Sequence, residues 1–249
     1  MLDPLILLAL AGVGLLAGFV DAVAGGGGLI GIPALLFVGL PPVAALATHK
    51  VQGSCGTAMA VVTYWRRGFI DVRALTLAVL LTLCGSVIGA LIVKRLDISV
   101  LTALVPIALI AIALYFLFAP NLADTDRHAR LPFARFVPLM GFGLGFYDGL
   151  FGPGTGSFMT IGFVTLFGLG LIRATGHTKL LNLTSNLAAL LVFIPSGDVL
   201  WPAALAMAVG QIVGGYIGAR TGIRYGARLI RPLVVVVSIT LALKLLFFP

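Results

Sequence analysis

"VDAVAGGGGLIG", residues 20–31, sets one carboxylate and four consecutive glycines inside an otherwise apolar stretch. Soluble helices avoid so many glycines, and membrane helices avoid aspartate. Residues 147–158, "YDGLFGPGTGSF", repeat the device. The glycine run is not a phosphate loop, because no Lys-Ser/Thr follows it, it lacks GxGxxG spacing, and no strand pattern precedes it. It reads instead as a break in a membrane helix. Glycine tolerates the backbone angles such a break needs. Lipid cannot satisfy the freed backbone groups, so the break must be buried in protein or line an aqueous cavity. The segment restarting after it would present the positive end of its dipole, which suits an anion. The competing reading is that the glycines only let helices approach closely.

The surrounding chain supports a membrane setting. Of its 249 residues, 60% are hydrophobic and only 10% are charged, against about 25% charged in a soluble domain. Its mean hydropathy is +1.17. The net charge of +8 would suit nucleic acid in a soluble protein, but no nucleic-acid module is present, so no nucleic-acid partner is expected. The arginines and lysines fall mostly in short loops, where they set orientation and meet anionic lipid. Cys55 and Cys84 lie in apolar segments without metal-ligand spacing and read as packing residues. "LILLALAGVGLLAGFV" resembles a signal-peptide core, but no basic residue precedes it and its pattern recurs, so it reads as a first membrane segment.

At about 20 apolar residues per span, segments fall near 5–24, 29–46, 47–65, 73–93 and 98–118, then near 136–151, 156–171, 174–194, 199–219 and 229–247. The second segment of each half is short and interrupted by Gly or Pro. The halves match. An offset of 127 carries Gly14, Gly18, Asp21 and Gly25 onto Gly141, Gly145, Asp148 and Gly152. An offset of 129 carries Lys50, Gly85 and Gly89 onto Lys179, Gly214 and Gly218. GxxxG steps, which let helix backbones approach in lipid, thus recur in register. Loop charge differs between the halves: Arg66, Arg67 and Arg73 precede the fourth segment, whereas Arg220, Arg224, Arg228 and Arg231 follow its counterpart. The expected fold is therefore an all-α polytopic membrane protein of two inverted repeats, 1–120 and 136–249, each with about five segments and a glycine-broken helix. A cytoplasmic linker, 121–135, joins them, and both termini lie outside.

The buried polar residues recur too. "ATHKVQGSCGT" (47–57) and "GHTKLLNLTSN" (176–186) each carry a histidine and a lysine at the start of a third segment. Lys179, Asn182 and Asn186 share a helix face, with Ser185 beside it; Lys50, Ser54 and Thr57 form a smaller stripe. With Gly25, Gly26, Gly27, Gly28, Gly152, Gly154, Thr155, Gly156 and Ser157, these lysines, Ser54, Asn182, Ser185 and Asn186 make a candidate cradle for an oxyanion. Snorkelling, or a salt bridge to the aspartates, is the competing reading for the lysines. Asp21 and Asp148 are candidates for proton coupling, or else cap the glycine breaks. His49 and His177 do not align and lack a second-His spacing, so no metal site is expected. Gln211 is a lesser candidate. With no hydrolase nucleophile, nucleotide loop or cysteine cluster, neither an enzyme nor a cofactor is expected. Transport would be driven by gradients.

These residues carry a resemblance. "GFVDAVAGGGGL" (18–29), "ALATHKVQG" (45–53), "GFYDGLFGPGTGSF" (145–158), "HTKLLNLTSN" (177–186) and "LIRPLVVVVS" (229–238) resemble the TauE/SafE family of sulfite and organosulfonate exporters over nearly the whole chain. The resemblance implies a multi-pass carrier in the bacterial inner membrane that moves sulfur-containing oxyanions or related small anions. His49 departs from it, since relatives often have Asn there. An anion channel and a structural subunit of a membrane complex stay open beside the carrier, as does self-association into a homo-oligomer.

Overall fold

The computed structural model describes residues 3–96, 125–226 and 229, and every regular element among them is helical. The first half contributes α1 (Pro4–Ala24), α2 (Gly28–Phe37), α3 (Pro42–Arg66) and α4 (Thr76–Val93). The second begins with α5 (Phe133–Val137), a π-helical stretch π1 (Pro138–Gly143) and α6 (Leu144–Leu150), which follow one another as a single rod. It continues with α7 (Thr155–Thr165), α8 (Leu171–Phe193) and α9 (Trp201–Tyr225). The expected fifth segments, near 98–118 and 229–247, lie outside the described residues apart from Leu229.

Local chemistry sets the boundaries. The Asp3 carboxylate accepts the Leu5 N–H at 2.7 Å and Pro4 opens the first turn of α1, where a missing N–H costs nothing. Gly25, with φ 78°, ends that helix in the left-handed region. The second segment departs from the expected 29–46. Gly39 turns at φ 89°, and Pro42 at the first helical position starts α3 five residues earlier than expected. Lys50 therefore sits about two turns inside α3, and Lys179 about two turns inside α8, not at their starts. The linker was expected to reach 135, but helix resumes at Phe133. Pro138 has no N–H for the carbonyl four residues back, and the rod widens to π geometry there.

Large apolar side chains cover much of the outer surface of the described residues, and polar and charged residues are buried among an apolar core. Leu5 on α1 is 72% exposed, Leu191 on α8 66% and Val209 on α9 64%. Thr48, Lys50, Gln52, Lys179, Ser185 and Gln211 are buried. The helices α1, α4 and α9, of 21, 18 and 25 residues, are long and apolar enough to cross a bilayer. The polar stripes of α3 and α8 lower their hydropathy, and these two helices lie at the centre with the others around them.

Small residues hold the helices together in a reciprocal pattern. A Cβ on Gly14 or Gly18 of α1 would strike the α9 backbone at Met207 or Gln211. A Cβ on Gly141 or Gly145 of the rod would strike the α4 backbone at Ala78 or Thr82. Offsets of 127 and 129 turn the first set into the second. The partner glycines behave alike: Gly85 and Gly89 of α4 face Phe142 and Phe146, and Gly214 and Gly218 of α9 face Leu15 and Phe19. Every GxxxG step that recurs in the sequence thus lies at a contact between halves, where backbone proximity adds dispersion.

These contacts also give helix directions. Positions rise together along α1 and α9, and along α4 and the rod, so each pair is parallel. The α3–α9 pair is parallel as well, with Gly56 at Gln211 and Tyr64 at Gly222. Across α3 and α8 they run oppositely, with Gly53 at Asn186 and Phe69 at Gly176. Ser86 to Ser185 and Lys94 to Asp198 set α4 parallel to α8. Hence α1, α3 and α9 point one way, and α4, the rod and α8 the other.

Candidate functional site

A helix that stops inside protein leaves its last carbonyls without intrahelical donors. At the end of α1 the Asp21 carbonyl accepts the Gly25 N–H at 2.7 Å. It also accepts from the Lys179 ammonium, which lies 3.0 Å from the Asp21 carboxylate. At the end of α6 the Lys50 ammonium donates to the Asp148 carbonyl at 2.6 Å and sits 3.1 Å from the Asp148 carboxylate. The two pairs are equivalent under the repeat offsets and are crossed: each lysine caps the broken helix of the other half. A cation at a helix C-terminus also meets the negative end of the dipole. Lys50 is 1% exposed, Lys179 0%, Asp148 2% and Asp21 8%. Leaving any one of these charges uncompensated costs about 3–5 kcal/mol.

The two glycine breaks pack on each other at the centre. Gly25 lies against Gly156 and Ser157, so closely that a Cβ on Gly25 would overlap the Gly156 backbone. The Ser157 hydroxyl donates to the Ala24 carbonyl across the halves. Gly28 lies beside Pro153 and His49 Nε2, and Gly152 beside Lys50 Nζ and Asp148 Oδ1. The Gly26 carbonyl accepts Leu29 N–H at 3.0 Å, and that of Gly27 accepts Ile30 and Gly31 N–H at 3.1 and 2.9 Å, starting α2. Gly154, with φ 77°, starts α7 by accepting Phe158 N–H at 3.0 Å, while the Thr155 hydroxyl donates to the Gly152 carbonyl at 2.8 Å. Both short helices therefore begin at the crossed pairs.

The α8 stripe completes the cluster. The Ser185 hydroxyl contacts Asp148 Oδ2 and has the Asn182 carbonyl at 2.9 Å. Asn186 Nδ2 donates to Asn182 Oδ1 at 3.3 Å and faces Gly53 of α3. The smaller stripe is less engaged: Ser54 and Thr57 donate to the Lys50 and Gly53 carbonyls of their own helix, at 2.7 and 2.5 Å. The histidines separate. His49 enters the site through Gln52, 2.8 Å from its Nδ1, whereas His177 donates to the Arg173 carbonyl at 2.7 Å and packs its ring on Phe163.

One polar residue joins the site without a motif to announce it. Ser86 donates to the Ser185 carbonyl at 2.6 Å; its only sequence signal is its place inside the GxxxG step of α4. Among the described residues, Gln52 Oε1 and Thr82 Oγ1 are buried without a hydrogen-bond partner, as is Oε1 of Gln211, the residue equivalent to Thr82. Buried polar atoms in folded proteins are usually hydrogen-bonded.

Comparison with known proteins agrees in scope with this geometry. The family described as Sulfite exporter TauE/SafE matches residues 10–245. A "Probable membrane transporter protein ORF9" from Sinorhizobium sp is 46% identical over 238 residues, covering 94% of this chain and 90% of the relative. "Probable membrane transporter protein YfcA" of Escherichia coli (strain K12) is 44% identical over 247 residues, covering 99% and 92%. A "Probable membrane transporter protein" of Haemophilus influenzae is 42% identical over 235 residues, covering 94% and 92%. No solved structure matches. Matched by this family over nearly its whole length, and by relatives named as transporters rather than enzymes, the chain belongs to the TauE/SafE family of membrane transporters.

Proposed function

We propose that this protein is a gradient-driven carrier of small sulfur-containing oxyanions, sulfite or an organosulfonate, in the bacterial inner membrane. The observation that carries the reading is the crossed pairing of Lys50 with Asp148 and Lys179 with Asp21 between two packed helix breaks. Each ammonium is held by a carboxylate and a carbonyl, both of which an oxyanion's oxygens can replace. An anion entering between the breaks competes with Asp21 and Asp148 for the lysines. Protonation of an aspartate removes its claim on the lysine and lets the anion bind, which couples substrate to protons. Asn182, Asn186 and Ser185 orient the bound oxygens, and the starts of α2 and α7 add dipole.

The halves act as inverted repeats about this site. The opposed directions of α1 and the rod, of α3 and α8, and of α4 and α9 support that reading. Charge supports the orientation. Arg66, Arg67, Arg220, Arg224 and the linker arginines Arg127, Arg130 and Arg135 share the end where α3 and α9 finish, which the positive-inside rule makes cytoplasmic. Lys94, ion-paired to Asp198 at 3.0 Å, lies at the opposite end.

Proteoliposomes of the purified chain provide the test. Saturable sulfite uptake that shows counterflow and responds to an imposed pH gradient is expected. Single-channel currents in its place would mean a channel. No flux of any anion from the purified chain would mean a subunit that acts only with partners.

A further inference from the structure

A second concentration of charge lies away from the crossed pairs, at the basic end of the protein. Between the last turns of α3 and α9 runs a groove of about 790 Å³. Arg66 and Arg67 line it from one half and Arg220 and Arg224 from the other. All four are exposed. Among the described residues no carboxylate lines the groove, and none forms an ion pair with any of the four. The two helix C-termini supply about half a negative charge each, which balances roughly one guanidinium of the four.

Orientation by the positive-inside rule explains the sign of this end but not its construction. A topogenic arginine needs no fixed position. Here Arg220 donates to the Tyr216 hydroxyl at 2.7 Å and lies 5.3 Å over the Tyr216 ring, while Arg224 lies 5.4 Å over that of Tyr225. Stacking of this kind preorganises the guanidinium fork that matches phosphate geometry. Tyr216, Arg220 and Arg224 follow one another at four-residue steps and so share one face of α9. Toward the bilayer the α3 side of the lining becomes apolar, with Met59 and Val62. The groove is cationic at its aqueous end and apolar at its membrane end. A volume of this size suits a headgroup with its glycerol better than a bare ion.

We infer that the α3–α9 groove is a binding site for an anionic phospholipid, whose phosphate sits among Arg66, Arg67, Arg220 and Arg224 and whose chains continue over Val62. Basic pockets between membrane helices on the cytoplasmic side suit such headgroups. The lipid would bridge two parallel helices from opposite halves, one of which carries Lys50. The inference is independent of the transported substrate.

Native mass spectrometry of the full-length chain, released from detergent with equal phosphatidylglycerol and phosphatidylcholine, tests it. The wild type should retain phosphatidylglycerol in roughly tenfold preference. Arg220→Gln with Arg224→Gln should remove the preference, and Arg66→Gln with Arg67→Gln should do so from the other helix. Arg127→Gln with Arg130→Gln, which subtracts the same charge from the linker, should keep it. Each variant is first matched to the wild type by thermal unfolding, and inorganic phosphate is tested as a competitor. Equal loss in the linker variant, retention in both groove variants, or full displacement of the lipid by millimolar phosphate would each overturn the inference. Collapse of one groove variant leaves the other pair to decide.

Discussion

Lys179, on α8, caps α1 at Asp21, 158 positions earlier in the chain, and holds both the carbonyl and the carboxylate of that residue. Its counterpart Lys50 does the same for Asp148. A helix break in the membrane needs donors for its free carbonyls, and a buried lysine needs an anion. One contact answers both needs, and its duplication ties the halves together at their centre.

Removing one member of a pair should cost more than removing both. Lys179→Met alone leaves Asp21 buried and unpaired, a loss of about 3–5 kcal/mol. Adding Asp21→Asn should restore a substantial part of it. A double-mutant cycle on thermal unfolding of the purified protein measures this coupling; additive losses would show that the pair contributes nothing as a pair.

Glycines at the helix contacts should differ sharply from glycines outside them. A Cβ on Gly210 would collide with the Ala11 carbonyl of α1, while one on Gly12 meets nothing within 4 Å. Gly210→Ala should therefore lower the unfolding temperature by several degrees, and Gly12→Ala should hold or raise it, since alanine favours helix by about 0.8–1.0 kcal/mol over glycine. Equal effects would contradict the parallel α1–α9 packing.

The two ends of the protein should face opposite sides of the membrane. With Cys55 and Cys84 replaced by serine, Ser196→Cys should react in intact cells with a membrane-impermeant maleimide. Arg67→Cys should react only after the cells are opened. Labelling of both from one side would refute the inverted arrangement.

Proton coupling should depend on the aspartates. Asp148→Asn removes the carboxylate that competes for Lys50, so sulfite flux through this variant should lose most of its response to a pH gradient. The test is the ratio of uptake with and without the gradient, wild type against variant. An unchanged ratio in Asp148→Asn and in Asp21→Asn would remove the aspartates from coupling.

Much of this was legible in the sequence for local reasons. The break at Gly25 is visible because four glycines and a carboxylate interrupt an apolar run, and the GxxxG contacts because both members of each pair recur at fixed offsets. Which lysine meets which aspartate is invisible, since the partners are 98 and 158 positions apart and carry no local mark. The sequence left the lysines between an anion cradle and a salt bridge to the aspartates; in the structure they make the salt bridge, and an anion would have to displace it. The end of α2 was misplaced because apolar residues run on through Gly39 and Pro41, and periodicity does not register a turn inside a hydrophobic stretch. Ser54 followed the right spacing, but a serine inside a helix bonds back to its own turn as readily as it reaches outward.

The central claim is that the crossed lysines hold the transported anion. Initial rates of sulfite uptake into proteoliposomes should be compared for the wild type, Lys50→Ala, Lys179→Ala and the double variant, at matched reconstitution and verified folding. The account predicts a large loss in each single variant and no saturable uptake in the double. Wild-type uptake in the folded double variant would contradict it.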